Sequence, residues 1–131
     1  VLGLSLQDEH ASGWGPHRAR LLEHAESWAT TTRLPNGSKH IDNPDVRRRI
    51  ARAAMETEVS TLLQRRCVWM AEQGQVPVAE GPMSKVFSTE ALERASHDIV
   101  EMVGPAALPT YLAPPAPQHG TFARTLPFLA V

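Results

Sequence analysis

The longest uninterrupted helical pattern in the chain runs from Asp45 to Gly74, and it constrains the fold more than any other feature. Neither Pro nor Gly interrupts the pattern before Gly74. Asn43 or Asp45 can cap the start of this helix, and Gly74 can end it. At a rise of 1.5 Å per residue such a helix is roughly 40 Å long, about the width of a small domain. The other elements are therefore expected to pack along it.

The apolar residues of this segment form two stripes rather than one. The first stripe contains Val46, Ile50, Ala53 and Ala54. The second contains Ala51, Met55, Val59, Leu62, Leu63, Cys67 and Met70. A helix this broadly apolar packs on more than one neighbour. The further partner is expected from upstream sequence, from beyond Val131 or from another copy of the chain, and we expect the chain to self-associate.

Two further helices are predicted, over about residues 16–32 and 82–103. In the first, Pro16 suits the opening turn, and apolar residues recur at three- and four-residue spacing. The last helix keeps the same period up to Gly104, where glycine followed by proline is a stop signal. Between the first two helices, Pro35-Asn36-Gly37 predicts a turn.

Three antiparallel helices joined by turns predict an all-α, up-down helical bundle. We expect residues 1–131 to form a single domain with a Pro-rich tail over residues 105–131. The bundle is expected to be incomplete, because the long helix needs a fourth partner. The chain does not begin with Met, and we expect it to be a fragment of a longer protein.

Composition excludes several classes of function. The formal net charge of −1 provides no global field for nucleic acid, and no apolar run is long enough to span a membrane. A single cysteine excludes an internal disulfide framework, and residues 1–6 lack the basic flank of a signal peptide. We therefore expect a cytoplasmic protein that binds neither nucleic acid nor membrane.

The sequence contains no motif for a metal site or for nucleophilic catalysis. His10, His17 and His24 are spaced by seven, which on a helix separates them by about 10 Å, too far to share a metal ion. Cys67 lies on an apolar stripe and is interpreted as a core residue. The arginines of the long helix are interpreted as a solvated face, with Arg52 and Glu56 forming a favourable pair four residues apart.

Four segments, in order, resemble the C-terminal helical domain of acyl-CoA dehydrogenases. Residues 22–29, followed by Arg33 and Gly37, resemble the family's helix that ends in an A…R–x–x–F–G segment. Residues 46–51 fall where the next helix begins, and residues 82–90, PMSKVFSTE, resemble an A–K–x–x–x–(T/S)–E helix. Residues 101–104, EMVG, stand where the family has Q–x–x–G–G. The amino-acid sequence of the last two segments is most similar to divergent acyl-CoA dehydrogenases of actinobacterial type, several of which act on steroid or lipid acyl-CoA.

This resemblance implies a four-helix bundle that mediates dimer or tetramer contacts, with FAD at a subunit boundary. It implies that the complete protein oxidises acyl-CoA thioesters to 2,3-enoyl-CoA. Arg33 is then expected to contact the flavin pyrophosphate, with Gly37 in the same cofactor-binding segment. Glu101 and Gly104 are expected near the adenylate end of FAD in a neighbouring subunit. The family's catalytic carboxylate lies downstream of a tail like this one, so we assign no catalytic residue here and expect the chain alone to be inactive.

Pro105 replaces the second glycine of the family's Q–x–x–G–G. Three further positions depart from the family pattern. Asn36 replaces a phenylalanine, Pro44 replaces a glutamine, and Glu101 replaces the glutamine of Q–x–x–G–G. These departures favour a second hypothesis, in which the chain is a non-catalytic dehydrogenase-like partner subunit or a dimerisation module that binds no flavin. A third hypothesis is an unrelated helical interaction domain.

Overall fold

The computed structural model of the chain describes residues 15–104. Helix α1 spans Gly15–Thr31, a single 3-10 turn spans His40–Asp42, helix α2 spans Pro44–Glu72 and helix α3 spans Glu80–Val103. The described residues contain no strand, only an isolated antiparallel bridge between Arg33 and Lys39. The all-α prediction is therefore confirmed. The Pro-rich tail predicted over residues 105–131 lies outside the described residues.

Both ends of α2 follow from local chemistry. At the start, the Oδ1 atom of Asn43 accepts a hydrogen bond from the backbone N–H of Asp45 at 2.9 Å, the usual N-cap arrangement. At the end, Gly74 has φ of +70°, a conformation that glycine adopts without a Cβ penalty. The N–H of Gln75 then donates to the carbonyl of Met70 at 2.9 Å, which closes a Schellman motif.

The three helices alternate in direction. The ion pair between Glu101 and Arg49 shows that the end of α3 lies beside the start of α2. The start of α3 lies beside the second half of α2, where Glu80 pairs with Arg66. None of the helices within residues 15–104 is long and apolar enough to cross a membrane.

The hydrophobic core lies where α1, the first half of α2 and the second half of α3 meet. Trp28 is 4% exposed and Ile99 is 2% exposed. The other core residues are Leu21, Ala25, Ala29, Val46, Ile50, Ala53, Leu92, Ala95 and Val103. They come from all three helices, so this end of the bundle contains most of the apolar burial that stabilises the fold.

The buried face of α3 carries a row of small side chains. The buried residues of this row, at three- and four-residue spacing, are Gly81, Ser84, Ser88, Ala91 and Ala95. Ser60 is completely buried on the α2 side. Small residues let two helix backbones approach closely, but they remove little apolar area from water. Large side chains on the outer faces of both helices therefore stay exposed.

The second apolar stripe of α2 lies largely in water. Helix α1 has 17 residues and α2 has 29, so α2 is longer by roughly 18 Å. Arg18, near the start of α1, lies beside Thr57 in the middle of α2. The half of α2 after Thr57 therefore extends past the described start of α1. Of this stripe, Met55 is 64% exposed and Leu62 is 53% exposed.

Two side-chain truncations on α3 are predicted to lower the free energy of unfolding by different amounts, because one residue is in the core and the other is exposed. Ile99→Ala removes a fully buried side chain and is expected to lower the free energy of unfolding by about 2–5 kcal/mol. The control Met83→Ala truncates a side chain that is 56% exposed and is expected to change the free energy by less than about 0.5 kcal/mol. Denaturant unfolding followed by circular dichroism measures both, and equal effects would contradict this core.

Candidate functional site

One end of the bundle brings together the end of α1, the connector over residues 32–43, the start of α2 and the end of α3. The connector is held to both neighbouring helices. The ring of His40 stacks on Trp28 with centroids 4.3 Å apart. The Nη1 atom of Arg47 donates to the carbonyls of Ile41 at 3.1 Å and Asp42 at 3.0 Å. The loop that contains the predicted Arg33 and Gly37 is thus positioned by contacts on either side.

Arg33 and Gly37 lie in one tight turn. The Nη1 atom of Arg33 donates to the carbonyl oxygen of Gly37 at 2.7 Å, and the Gly37 N–H donates to the carbonyl of Leu34 at 2.8 Å. Gly37 has φ of +84°, a conformation that favours glycine. The Oδ1 atom of Asn36 accepts hydrogen bonds from the N–H and the hydroxyl of Ser38 at 3.0 and 2.7 Å. The two residues predicted from sequence are therefore in direct contact.

Lys39 lies opposite Arg33 in the antiparallel bridge. Residues directly opposite each other in such a pair project to the same face, so this face carries two cations. The guanidinium of Arg33 is exposed, and the hydrogen bond to Gly37 is the only one it makes within residues 15–104. Its remaining donors can bind an anion in the bidentate manner typical of arginine.

Glu101 belongs to an ion-pair cluster that joins α2 to α3. The Nη1 atom of Arg49 donates to Asp98 at 2.9 Å and to the Oε2 atom of Glu101 at 2.5 Å, and its Nε atom donates to Asp45 at 2.8 Å. Arg52 also donates to Asp98. The hydrogen bond that Arg49 donates to Glu101, followed by the one that it donates to Asp45, raises the pKa of Arg49. The charge of Glu101 is therefore compensated within the chain.

The four predicted cofactor-binding residues form two separate groups. Arg33 and Gly37 share one turn, whereas Glu101 lies on the last turn of α3 and Gly104 directly follows it. The Gly104 N–H donates to the carbonyl of Val100, which closes the end of the helix. No hydrogen bond or ion pair in the described part of the chain joins one group to the other.

The sequence analysis missed a buried arginine. Arg18 is 2% exposed, and its Nη1 atom donates to the carbonyl of Ser88 at 3.1 Å. Within residues 15–104 its Nε and Nη2 atoms have no hydrogen-bond partner. It lines a small cavity of about 10 Å³ together with Glu56. Burial lowers the pKa of Arg18, and the charge of Glu56 opposes this change. Arg18 is three residues before Leu21 and seven before Ala25, a spacing that puts all three on one face of the helix. This position on the buried stripe was the sequence signal from which the burial of Arg18 could have been inferred.

Within the described residues, the surroundings of Cys67 do not favour a reactive thiol. Cys67 is half-buried, and this burial is the main reason that its pKa lies above the usual value for a thiol. A thiol with a raised pKa forms less of the nucleophilic thiolate at neutral pH. Within residues 15–104 no three His, Cys, Asp or Glu side chains are grouped as metal ligands would be.

The site thus combines an exposed arginine in a rigid turn with an ion-paired helix end, on an all-α up-down bundle. The chain matches the model of the family described as "Acyl-CoA dehydrogenase, C-terminal domain" over residues 9–128. Because this match covers most of its 131 residues, the chain belongs to the acyl-CoA dehydrogenase family. The resemblance drawn from its motifs is thereby confirmed. No curated protein and no solved structure gives a significant match.

The ion pairs at this end predict a specific dependence of stability on pH. Hydrogen bonds from Arg48 and then Arg49 hold the pKa of Asp45 below its usual value. On acidification the unfolded chain therefore binds this proton before the folded chain does. The stabilisation is present above the unfolded pKa of about 3.9 and is lost as pH falls through the lower pKa of the folded state.

Asp45→Asn is accordingly expected to lower the Tm at pH 7 and to leave it nearly unchanged at about pH 2. Thermal unfolding across this pH range measures the difference. The matched control, Glu72→Gln, removes an exposed carboxylate from the last turn of the same helix, where a negative charge is unfavourable. It should not lower the Tm. A Tm difference for Asp45→Asn that is independent of pH would contradict the assigned ion pairs.

Proposed function

We propose that this chain is the C-terminal part of an FAD-dependent acyl-CoA dehydrogenase, in which it supplies part of the flavin site and contacts between subunits. Family membership supports the class of enzyme. The observation that carries the cofactor proposal is the contact between Arg33 and the Gly37 carbonyl, which fixes an exposed guanidinium beside Lys39.

The pyrophosphate of FAD suits this turn. One donor of Arg33 is used by Gly37, which orients the planar guanidinium before any ligand arrives. The remaining donors form the rigid fork that matches phosphate oxygens, and preorganisation lowers the entropy cost of binding. Lys39, on the same face, adds a second positive charge. We therefore assign Arg33 as the main phosphate-binding residue and Gly37 as the residue that positions it.

Glu101 and Gly104 are proposed to lie near the adenylate end of FAD from a neighbouring subunit. A carboxylate close to phosphate would be repulsive, but adenine and ribose present N–H and O–H donors. Arg49 occupies the Oε2 atom of Glu101 and balances its charge, so the Oε1 atom can accept a hydrogen bond from such a donor. Gly104, at the end of α3, adds no side chain that would block close approach.

When bound, the flavin supplies the hydride acceptor for oxidation of an acyl-CoA thioester to the 2,3-enoyl-CoA. The residues of this chain bind and orient, and we assign the proton-removing carboxylate to a segment outside it. The substrate is proposed to be a lipid acyl-CoA, which places the complete protein in lipid metabolism. We further propose a homo- or hetero-oligomer, a dimer or a tetramer, in the cytoplasm.

A second candidate function is a dehydrogenase-like partner subunit without flavin. The observation in its favour is that Asn36, which replaces the family's phenylalanine, directs its side chain into its own turn. An amide engaged with Ser38 provides no aromatic surface for a cofactor. Glu101 favours the same candidate, since it lacks the amide donor of the family's glutamine.

Flavin content of the intact protein separates the two candidates. Purified protein is expected to show visible flavin bands near one FAD per chain. Arg33→Ala is expected to weaken FAD binding roughly tenfold to hundredfold, which is the loss of affinity typical when a hydrogen bond to a charged group is removed. The FAD affinity of Arg33→Lys should lie between those of wild type and Arg33→Ala, because lysine keeps the positive charge but lacks the planar set of donors of the guanidinium. The control Arg20→Ala removes an exposed arginine from α1 and should leave flavin content unchanged.

Protein without flavin bands, before and after addition of FAD, would contradict the enzyme assignment for this chain and favour the partner subunit. Normal flavin content in Arg33→Ala would remove Arg33 from the site while leaving the enzyme class in place.

A further inference from the structure

A small cavity lies between the three helices and is not part of the proposed flavin site. Its volume is about 10 Å³, and its lining includes Leu21 of α1, Ala53 of α2 and Ile99 of α3, all from the hydrophobic core. Two charged residues also line it, Arg18 from α1 and Glu56 from α2. Burying a charge is costly unless a hydrogen-bond partner compensates it, so these two residues indicate a polar occupant.

Arg18 brings unused hydrogen-bond donors to this cavity. Its side chain is 2% exposed, and its Nη1 atom is engaged in the 3.1 Å hydrogen bond to the carbonyl of Ser88 on α3. The Nε and Nη2 atoms have no partner among residues 15–104. Buried donors in folded proteins are almost always satisfied, either by protein groups or by bound water. The two donors therefore indicate a ligand that accepts hydrogen bonds.

Glu56 brings an acceptor to the same cavity. Its Oε1 atom accepts a hydrogen bond from the Nε atom of Arg94 at 3.1 Å, whereas its Oε2 atom has no hydrogen bond within residues 15–104. No ion pair among the described residues joins Glu56 directly to Arg18, although the negative charge of Glu56 favours the charged form of Arg18. The two charges are therefore near enough to interact but too far apart for direct contact.

We propose that the cavity binds one water molecule, which accepts a hydrogen bond from Arg18 and donates one to Glu56. A cavity of about 10 Å³ has a size that admits one water and nothing larger. Glu56 would repel a halide ion, and Arg18 would repel a metal cation. A neutral molecule that both donates and accepts is the ligand that satisfies both side chains.

This bridge connects all three helices through polar contacts. Arg18 of α1 contacts the Ser88 carbonyl of α3 directly, and the water connects it to Glu56 of α2. Hydrogen bonds to charged groups are shorter and stronger than those between neutral groups. The water therefore helps to fix the rotation of α1 about its own axis. This inference goes beyond the proposed function and holds whether or not the intact protein binds FAD.

A high-resolution crystal structure of the intact protein tests the occupant. Wild type is expected to show one ordered water within hydrogen-bond distance of a guanidinium nitrogen of Arg18 and of the Oε2 atom of Glu56. An empty cavity, or direct contact between Arg18 and Glu56, would overturn the proposal. Soaking the crystals in bromide distinguishes an anion from water, because bromide scatters anomalously. An anomalous peak beside Arg18 would also overturn the proposal.

The same experiment on two variants tests whether Arg18 holds the water. Arg18→Met keeps a long unbranched side chain but removes the donors, and the water is expected to be lost. Thr57 also lines the cavity, but its hydroxyl already donates to the carbonyl of Ala53 at 2.8 Å. A single carboxylate then provides fewer partners than a buried water requires. Water retained in Arg18→Met would rule out Arg18 as its ligand.

Ser88→Ala is the matched control for Arg18→Met. It removes a buried hydroxyl that lacks a partner within residues 15–104 and does not line the cavity. It leaves in place the backbone carbonyl that Arg18 contacts. The water should therefore remain in Ser88→Ala, and its loss there would contradict the proposed ligands.

Thermal unfolding of the intact protein tests the bridge in solution. Glu56→Met leaves the charge of Arg18 buried without its acceptor, whereas Arg94→Met removes the partly exposed partner of Glu56. The decrease in Tm is expected to be at least about threefold larger in Glu56→Met than in Arg94→Met, because breaking a buried pair costs more than breaking an exposed one. Equal decreases would overturn the bridge.

A double variant tests the coupling between the two charges. Arg18→Met combined with Glu56→Met removes both charges, and replacing both members of a buried pair by apolar residues is often neutral. The double variant is therefore expected to recover most of the Tm that Glu56→Met loses. A loss in the double variant equal to the sum of the two single losses would overturn the proposal.

Discussion

The ion pairs between α2 and α3 are the constraint on which the arrangement of the rest depends. Asp98 is 13% exposed and accepts hydrogen bonds from both Arg49 and Arg52, which lie one turn apart on α2. Small residues on the buried face of α3 permit close packing, and its axial position beside α2 is set where charged side chains of the two helices meet. The half-buried carboxylate fixes that position, since moving it would leave a charge without its partners. The end of α3 is thereby held beside the start of α2.

Two surfaces follow from this fixed position. At one end, the connector that contains Arg33 leads into the start of α2, and the exposed Arg33 guanidinium has donors left for an anionic ligand. At the other end, α2 extends past the described start of α1, and its outer apolar stripe is exposed. The proposed cofactor contact and the exposed stripe thus involve different residues, so substitutions can alter one without the other.

Much of the fold could be predicted from the sequence because it depends on local signals. The apolar period and the Asn43 and Gly74 caps gave helix bounds within two residues of those observed. The turn at Pro35-Asn36-Gly37 was also predicted, and Arg33 and Gly37, four residues apart, are in contact across it. Family motifs identified the class of domain. The caps and the turn each lie within one short segment, and the family motifs are four short segments read in order along the chain.

Interactions between helices could not be predicted, because they depend on how helices are rotated about their axes. Arg52 and Glu56 were expected to pair four residues apart, but Arg52 donates to Asp98 and Glu56 accepts from Arg94 at 3.1 Å. That expected ion pair is therefore absent among the described residues. Arg18 was likewise missed, because an arginine on an amphipathic helix is ordinarily solvated and only tertiary packing buries it.

Hydrogen exchange of the intact protein, measured with and without FAD at constant protein concentration, tests the account most directly. The account predicts that FAD slows exchange in the connector over residues 32–43 and leaves exchange in residues 55–70 unchanged. Protection of neither segment, or protection of residues 55–70 by FAD, would contradict the assignment of the cofactor contact to the connector.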